Sequence, residues 1–262
     1  MNKSDYVKAA KLLYDLRINS KNIKKLPFNL EPKNINEGYN IQKELSKIYL
    51  KNNKIIGYKI GCTNKEAQKQ INIEHPFYGY IFSNYSSTNK CVLDNKKFIN
   101  PYFEPEFSFK FKDSLNFQKK IYNLKNLKEI IKYCLPSVEI VDPRYNNWTK
   151  VGISNLVADN AANSYWVRGK PISNIPFTDL LNQEVKVYFD NKLISIGNSK
   201  NVLKNPLNSI VWLLNNLSKN DLKKLNNLYV STGTCTPAIK MRGYSNFKAF
   251  FGSIGSVELS FF

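Results

Sequence analysis

The spacing of apolar residues changes character along the chain. Over the first fifty positions it is helical: Val7, Ala10, Leu12, Leu13 and Leu16 supply one apolar face, and Ser4 or Asp5 stands where an N-cap is needed. A break containing Pro27 and Pro32 separates this stretch from a second predicted helix over 36–50. The pattern then turns to β. Residues 54–61 form a glycine-punctuated β-type segment, and 102–112 alternate apolar and other residues strictly. A helix over 123–133, a short strand over 137–141 and a helix over 154–163 follow. Beyond Pro176 the pattern is mostly β: a hairpin over 185–195 about the Asp190-Asn191 turn, an amphipathic helix over 206–217, and two or three strands within 228–262. No internal repeat or low-complexity linker interrupts this order. The pattern predicts an α+β protein with a small helical N-terminal part, 1–53, and a β-rich body, 54–262.

Composition narrows the function classes. The 262 residues carry 39 Lys and Arg against 20 Asp and Glu, a formal charge of +19. Such an excess invites a polyanion as partner, but its texture argues otherwise. Arginine, the residue suited to bidentate phosphate and base contacts, occurs only at Arg17, Arg144, Arg168 and Arg242. The remaining cations are lysines spread among Asn and Ile, as a solvated surface shaped by biased codon usage would be. The expectation is therefore no nucleic-acid partner. No apolar run approaches the roughly 18 residues of a membrane span, and the N-terminus lacks a signal-peptide core, so a cytoplasmic protein without a membrane partner is expected. Cys62, Cys91, Cys134 and Cys235 lie far apart with no CxxC pair, which excludes a zinc-finger or disulfide scaffold. The single histidine, His75, leaves carboxylates as the residues for any metal site.

The informative strand is 101–111. Phe103, Pro105, Phe107, Phe109 and Phe111 share one face, whereas Glu104, Glu106 and Ser108 share the other. Two carboxylates side by side on one strand face repel each other unless a cation lies between them. A third acid, Glu139, interrupts the apolar strand 136–141. Three carboxylates with water completing the sphere suit a hard divalent ion, Mg²⁺ or Mn²⁺. The same pattern also fits a half-exposed strand whose glutamates pair with surface lysines. Lys59, between Gly57 and Gly61 and among apolar neighbours, has two readings as well. It is a desolvated amine with a lowered pKa, able to shuttle protons, or a snorkelling lysine on an edge strand.

Taken together these segments resemble the 2-keto-4-pentenoate hydratase family, the hydratase/decarboxylase branch of the fumarylacetoacetate hydrolase superfamily. The matching stretches are 57–63 (GYKIGCT), 103–107 (FEPEF), 136–141 (PSVEIV), 157–161 (VADNA), 231–234 (STGT) and 252–257 (GSIGSV). Their order and spacing fit across nearly the whole chain. The resemblance implies a β-rich body of the mixed β-roll or sandwich type. It implies a Mg²⁺ or Mn²⁺ held by Glu104, Glu106 and Glu139, with Lys59 as the catalytic proton carrier. It further implies a small 2-oxo carboxylic acid substrate, a 2-hydroxy-dienoate or 2-oxo-enoate from aromatic degradation, and a homo-oligomer. Ser164 and Thr232 are expected to contact the substrate, Thr232 otherwise being a turn hydroxyl, and Arg144 to favour a dianionic substrate. Decarboxylation of a 2-oxo-dioate, or a non-catalytic binding role, are the alternatives. Departures are specific. Phe77 replaces an aspartate of the family pattern, with Glu74 or His75 as nearby substitutes; 162–164 read Ala-Asn-Ser; and 241–244 read Met-Arg-Gly-Tyr.

Overall fold

In the computed structural model, residues 1–113, 115–118, 121–173, 180–241, 243 and 245–262 are described. The chain opens with α1 (Lys3–Ile18) and α2 (Ile35–Tyr49), each capped by an asparagine. Asn2, one turn ahead of the expected cap, accepts from the Asp5 amide, and the Asp5 carboxylate returns the bond to the Asn2 amide. Strand β1 (Ile55–Gly61) follows, then α3 (Lys65–Gln70), β2 (Phe77–Phe82), β3 (Ser86–Thr88), β4 (Cys91–Leu93) and β5 (Tyr102–Phe111). After these come α4 (Leu124–Ile130), β6 (Ile131–Val141), α5 (Ile153–Ala158), β7 (Asn163–Arg168), β8 (Glu184–Phe189) and β9 (Lys192–Asn198). The chain ends with α6 (Pro206–Asn216), α7 (Lys219–Leu222), β10 (Tyr229–Thr234), β11 (Ile239–Lys240), β12 (Asn246–Phe250) and β13 (Ser256–Phe261).

Among the described residues the strands form two sheets. The larger runs β2-β1-β10-β5-β6-β7-β3, with β11 paired to β5; the smaller runs β4-β13-β12-β8-β9. The phenylalanine stripe of β5 packs between them. Phe103 is fully buried and lies 4.9, 5.2 and 5.7 Å, centroid to centroid, from Phe247, Phe189 and Phe261 of the second sheet. This aromatic layer turns the opposite face of β5, with its glutamates, away from the hydrophobic core. The fold is the mixed α+β arrangement with N-terminal helices that the pattern predicts, and its curled sheets are of the kind the family resemblance implies.

Several boundaries differ from those expected, for local reasons. The helix expected over 123–133 stops at Ile130, and 131–141 is one eleven-residue strand. Ladder bonds to β5 and β7 outweigh the helical spacing of its first residues. The helix expected over 154–163 ends at Ala158, because Asn160, Ala161 and Ala162 all take positive φ. The Asp190-Asn191 hairpin is as expected, with both residues left-handed. Pro176, the expected onset of the β-rich half, lies outside the described residues. No helix among the described residues is long and apolar enough to cross a membrane.

Truncating Phe103 to Ala is expected to lower unfolding stability by about 3–5 kcal/mol in urea denaturation of the metal-free chain. A loss below about 1 kcal/mol would contradict the placement of this ring at the junction of the two sheets.

Candidate metal centre and active site

Strand register assembles the site. Glu104 of β5 lies directly opposite Glu139 of β6, and Glu106 opposite Ser137. Lys59 of β1 pairs with Ser231 of β10, which pairs in turn with Ser108. Side chains directly opposite across a ladder share a face, so one face of the large sheet collects the three glutamates, Lys59 and three serines. One carboxylate oxygen from each of Glu104, Glu106 and Glu139 lies within 4.8 Å of the others. Glu106 and Glu139 are fully buried, whereas Glu104 keeps a partly open edge toward a cavity of about 230 Å³. That volume is below the roughly 300–1,000 Å³ of pockets for drug-sized ligands. Ile71, Phe77, Leu156 and Ala161 make its apolar walls, and Tyr102, Trp148 and Thr234 line other parts of it.

Each buried carboxylate is satisfied on one oxygen only. Glu139 Oε1 receives the Lys59 ammonium at 3.0 Å and the Asn163 side-chain amide at 2.9 Å. Glu106 Oε2 accepts from the Ser231 hydroxyl. Glu139 Oε2 and Glu106 Oε1 are buried without a hydrogen-bond partner among the described residues. A buried anionic oxygen left unpaired is costly, and here three carboxylates face one ammonium. Burial, followed by the charge of Glu139, pushes Glu104 up from 4.5 to about 7. Glu106 is held well above the ordinary range by burial and by the charges of Glu139 and Glu104. Protons or a cation must therefore balance the group. The donor set is all oxygen and two of its oxygens are free, which fits a hard divalent ion.

Lys59 departs from the desolvated-amine expectation. Burial acts against its charge, but the carboxylates of Glu139, Glu104 and Glu106 outweigh burial and hold the ammonium above its ordinary pKa. It is therefore a charged proton holder that also faces the Phe77 ring, 5.9 Å from its centroid.

The remaining expected residues lie elsewhere. Arg144 is fully buried but does not line the cavity. Its guanidinium is paired with the Asp142 carboxylate and donates to the Asp142 carbonyl at 2.6 Å, while its amide donates to Asp159 at 2.8 Å. The Thr232 hydroxyl donates to the Phe107 carbonyl at 2.8 Å. Neighbouring Ser231, on the opposite face of the strand, meets the glutamates. A register shift between Ile140 and Val141 displaces β7 by one residue. It brings Asn163 to Glu139 and leaves Ser164 in a second cavity beside Arg17. His75 and Glu74 are exposed and do not line the site, whereas Phe77 does. Arg242 and Tyr244 lie outside the described residues. Asn163, Cys62 and Thr234 were not singled out as site residues from the sequence. The first and last were reachable only through bulges in their strands.

No family model matches the chain. It is 26% identical over 262 residues to the 4-oxalocrotonate decarboxylase of Pseudomonas putida, covering all of this chain and 98% of that protein. It is also 26% identical over 208 residues to the 2-keto-4-pentenoate hydratase of Paraburkholderia phymatum, covering 79% of this chain and 78% of the relative. In structure it is similar to the 4-oxalocrotonate decarboxylase from Pseudomonas putida G7 complexed with magnesium and adipate. The TM-score is 0.91 at 26% identity, over 100% of this chain and 99% of the other. The fumarylpyruvate hydrolase from Pseudomonas aeruginosa in complex with Mn²⁺ and pyruvate matches in fold alone, with a TM-score of 0.59 at 10% identity over 78% of this chain and 88% of that one.

The raised Glu104 carboxyl sets a pH dependence. Its contribution to stability is complete below its ordinary 4.5 and is lost as pH rises through about 7. Metal-free wild type is therefore expected to lose more melting temperature between pH 5 and pH 8 than Glu104→Gln, which keeps a neutral group at every pH. Equal losses in the two proteins would contradict the strained carboxylate cluster.

Proposed function

We propose that the chain is a metal-dependent lyase of the hydratase/decarboxylase branch of the fumarylacetoacetate hydrolase superfamily, supported by its full-length similarity to a 4-oxalocrotonate decarboxylase and its similarity to 2-keto-4-pentenoate hydratases. In this reading it hydrates a small 2-oxo-enoate, presented as its 2-hydroxy-dienoate tautomer. The observation that carries this is the pair of unpartnered buried oxygens, Glu106 Oε1 and Glu139 Oε2, in a carboxylate cluster whose third member, Glu104, lines a small cavity together with Lys59. Glu104, Glu106 and Glu139 would hold Mg²⁺ or Mn²⁺. When bound, such an ion supplies a Lewis acid that stabilises negative charge developing on a 2-oxo oxygen.

The chain's own residues do the rest. Lys59 keeps a proton at Nζ, 3.0 Å from Glu139, and is placed to deliver it to the substrate carbon skeleton and to offset anionic charge. Phe77, Leu156 and Ala161 give the cavity an apolar side that would favour a short unsaturated tail. Three carboxylates outnumber the one ammonium, so the site would accept a carboxylic acid only once a divalent ion has offset their charge. The family resemblance further supports a cytoplasmic homo-oligomer acting on products of aromatic-ring cleavage.

One observation favours a second reading. Phe77 occupies the cavity wall where the family pattern places an aspartate, so that position supplies no acid for water addition, although Glu66 lines the same cavity. Decarboxylation of a 2-oxo-dioate needs the electron sink but not that acid.

Incubation with 2-hydroxypenta-2,4-dienoate and Mn²⁺ separates the readings. Hydration predicts loss of the dienoate absorbance, and Glu106→Gln is expected to abolish both this loss and the Mn²⁺-dependent rise in melting temperature. Release of CO₂ from 4-oxalocrotonate, with the dienoate left untouched, would replace hydration by decarboxylation. Bound metal with neither substrate consumed would indicate a binding homologue. An unchanged Mn²⁺ melting shift in Glu106→Gln would overturn the ligand set.

Restoring the acid is a further check. Phe77→Asp is expected to raise hydration of the dienoate, measured as initial rate at saturating Mn²⁺. A fall in an existing activity would mean that the Phe77 ring shapes the pocket for a different substrate.

A further inference from the structure

Beneath the carboxylates, on the same sheet face, lies a polar layer that the proposed reaction does not use. Ser108 of β5, Ser137 of β6, Ser231 of β10 and Trp166 of β7 are all 0% exposed. Ser108 Oγ lies 2.6 Å from Ser137 Oγ and 2.8 Å from Ser231 Oγ. The Trp166 indole N–H reaches Ser231 Oγ at 3.3 Å, and Ser231 Oγ meets Glu106 Oε2. Three hydroxyls from three adjacent strands converge here without a water-exposed edge.

Hydrogen counting fixes the direction of these bonds. An indole nitrogen only donates, and a serine hydroxyl has one hydrogen and two lone pairs. Trp166 and Ser108 both donate to Ser231, so both of its lone pairs are engaged and its hydrogen goes to Glu106 Oε2. The hydrogen of Ser108 being spent on Ser231, the single hydrogen of Ser137 is shared between Ser108 Oγ at 2.6 Å and the Glu106 carbonyl at 3.1 Å, and Ser137 Oγ also lies 3.3 Å from Ser231 Oγ. The result is a closed cluster of three hydroxyls in which Ser231 alone donates to the Glu106 carboxylate, while Ser108 and Trp166 donate to Ser231. Glu106 Oε2 is thereby occupied, and Oε1 is the oxygen left without a partner.

We propose that Ser231, oriented by Trp166 and Ser108, is the positioning residue of the metal centre: it pins Glu106 so that Oε1 alone is presented to the divalent ion. This rests on the metal-binding reading above. Glu139 is pinned in the same manner by Lys59 and Asn163 on Oε1, so the two buried glutamates each offer a single preset oxygen. A site with preset ligands loses less side-chain freedom when the ion binds, and such outer partners govern affinity strongly.

The test is calorimetric titration of Mn²⁺ into the metal-stripped full-length chain. Ser231→Ala is expected to weaken Mn²⁺ binding by about 10- to 100-fold. Ser231→Thr, which keeps the hydroxyl, is expected to retain most of the affinity. Ser137→Ala removes a fully buried hydroxyl that bonds the Glu106 backbone but not its carboxylate, and should weaken Mn²⁺ binding much less than Ser231→Ala. Trp166→Phe releases a lone pair of Ser231 and is expected to weaken Mn²⁺ binding too, which keeps the proposal testable if Ser231→Ala does not fold. Affinity within twofold of wild type in Ser231→Ala or in Trp166→Phe, or equal weakening by the Ser231 and Ser137 variants, would overturn the positioning role. Failure of the unsubstituted chain to bind Mn²⁺ would overturn the metal reading itself, and this proposal with it.

Discussion

Mutual repulsion among Glu104, Glu106 and Glu139 is the constraint around which the site is organised. Three carboxylates drawn from two adjacent strands sit at the end of an apolar sheet, and one ammonium, Lys59, faces them. Burial and like charge both raise the carboxyls, so the cluster is under electrostatic load that only protons or a cation relieve. A chain under no functional demand would replace such a group with hydrophobic residues at little loss of stability. Its presence in the interior, with two carboxylate oxygens unpartnered among the described residues, points to a ligand.

The fold supplies the stiffness that this load requires. β5 and β6 are long, adjacent and fully paired, and the phenylalanine face of β5 is locked against the second sheet. Glu104 and Glu139 are therefore held opposite one another by backbone register rather than by side-chain choice. The neighbouring strands contribute one part each: Lys59 from β1, Ser231 from β10, Asn163 from β7. A site on paired strands keeps its geometry better than one on loops, and here helices and connections contribute only part of the cavity walls, among them Ala161 in a left-handed turn.

Local periodicity exposed much of this arrangement. The period-two pattern of 103–111 is enough to place Glu104, Glu106 and Ser108 on one face, and the acid in the apolar run 136–141 marks Glu139. What local patterns cannot carry is information that depends on strand pairing. The shift beside Val141 exchanges Ser164 for Asn163, and the shift between Ser231 and Thr234 turns the Thr232 hydroxyl onto a backbone carbonyl. Arg144 misleads for a different reason: its partner Asp142 is two residues away, and the two buried charges consume one another. The ionisation of Lys59 is likewise invisible without its neighbours, since apolar flanks argue for a lowered pKa and three unseen carboxylates reverse the sign.

The most direct measurement is anomalous diffraction from crystals grown with Mn²⁺, recorded at the manganese edge. The account predicts a single strong peak bounded by Glu104, Glu106 Oε1 and Glu139 Oε2, with Glu106 Oε2 still bonded to Ser231. Manganese signal elsewhere in the molecule with none among these three carboxylates, at a concentration that saturates the protein, would contradict it.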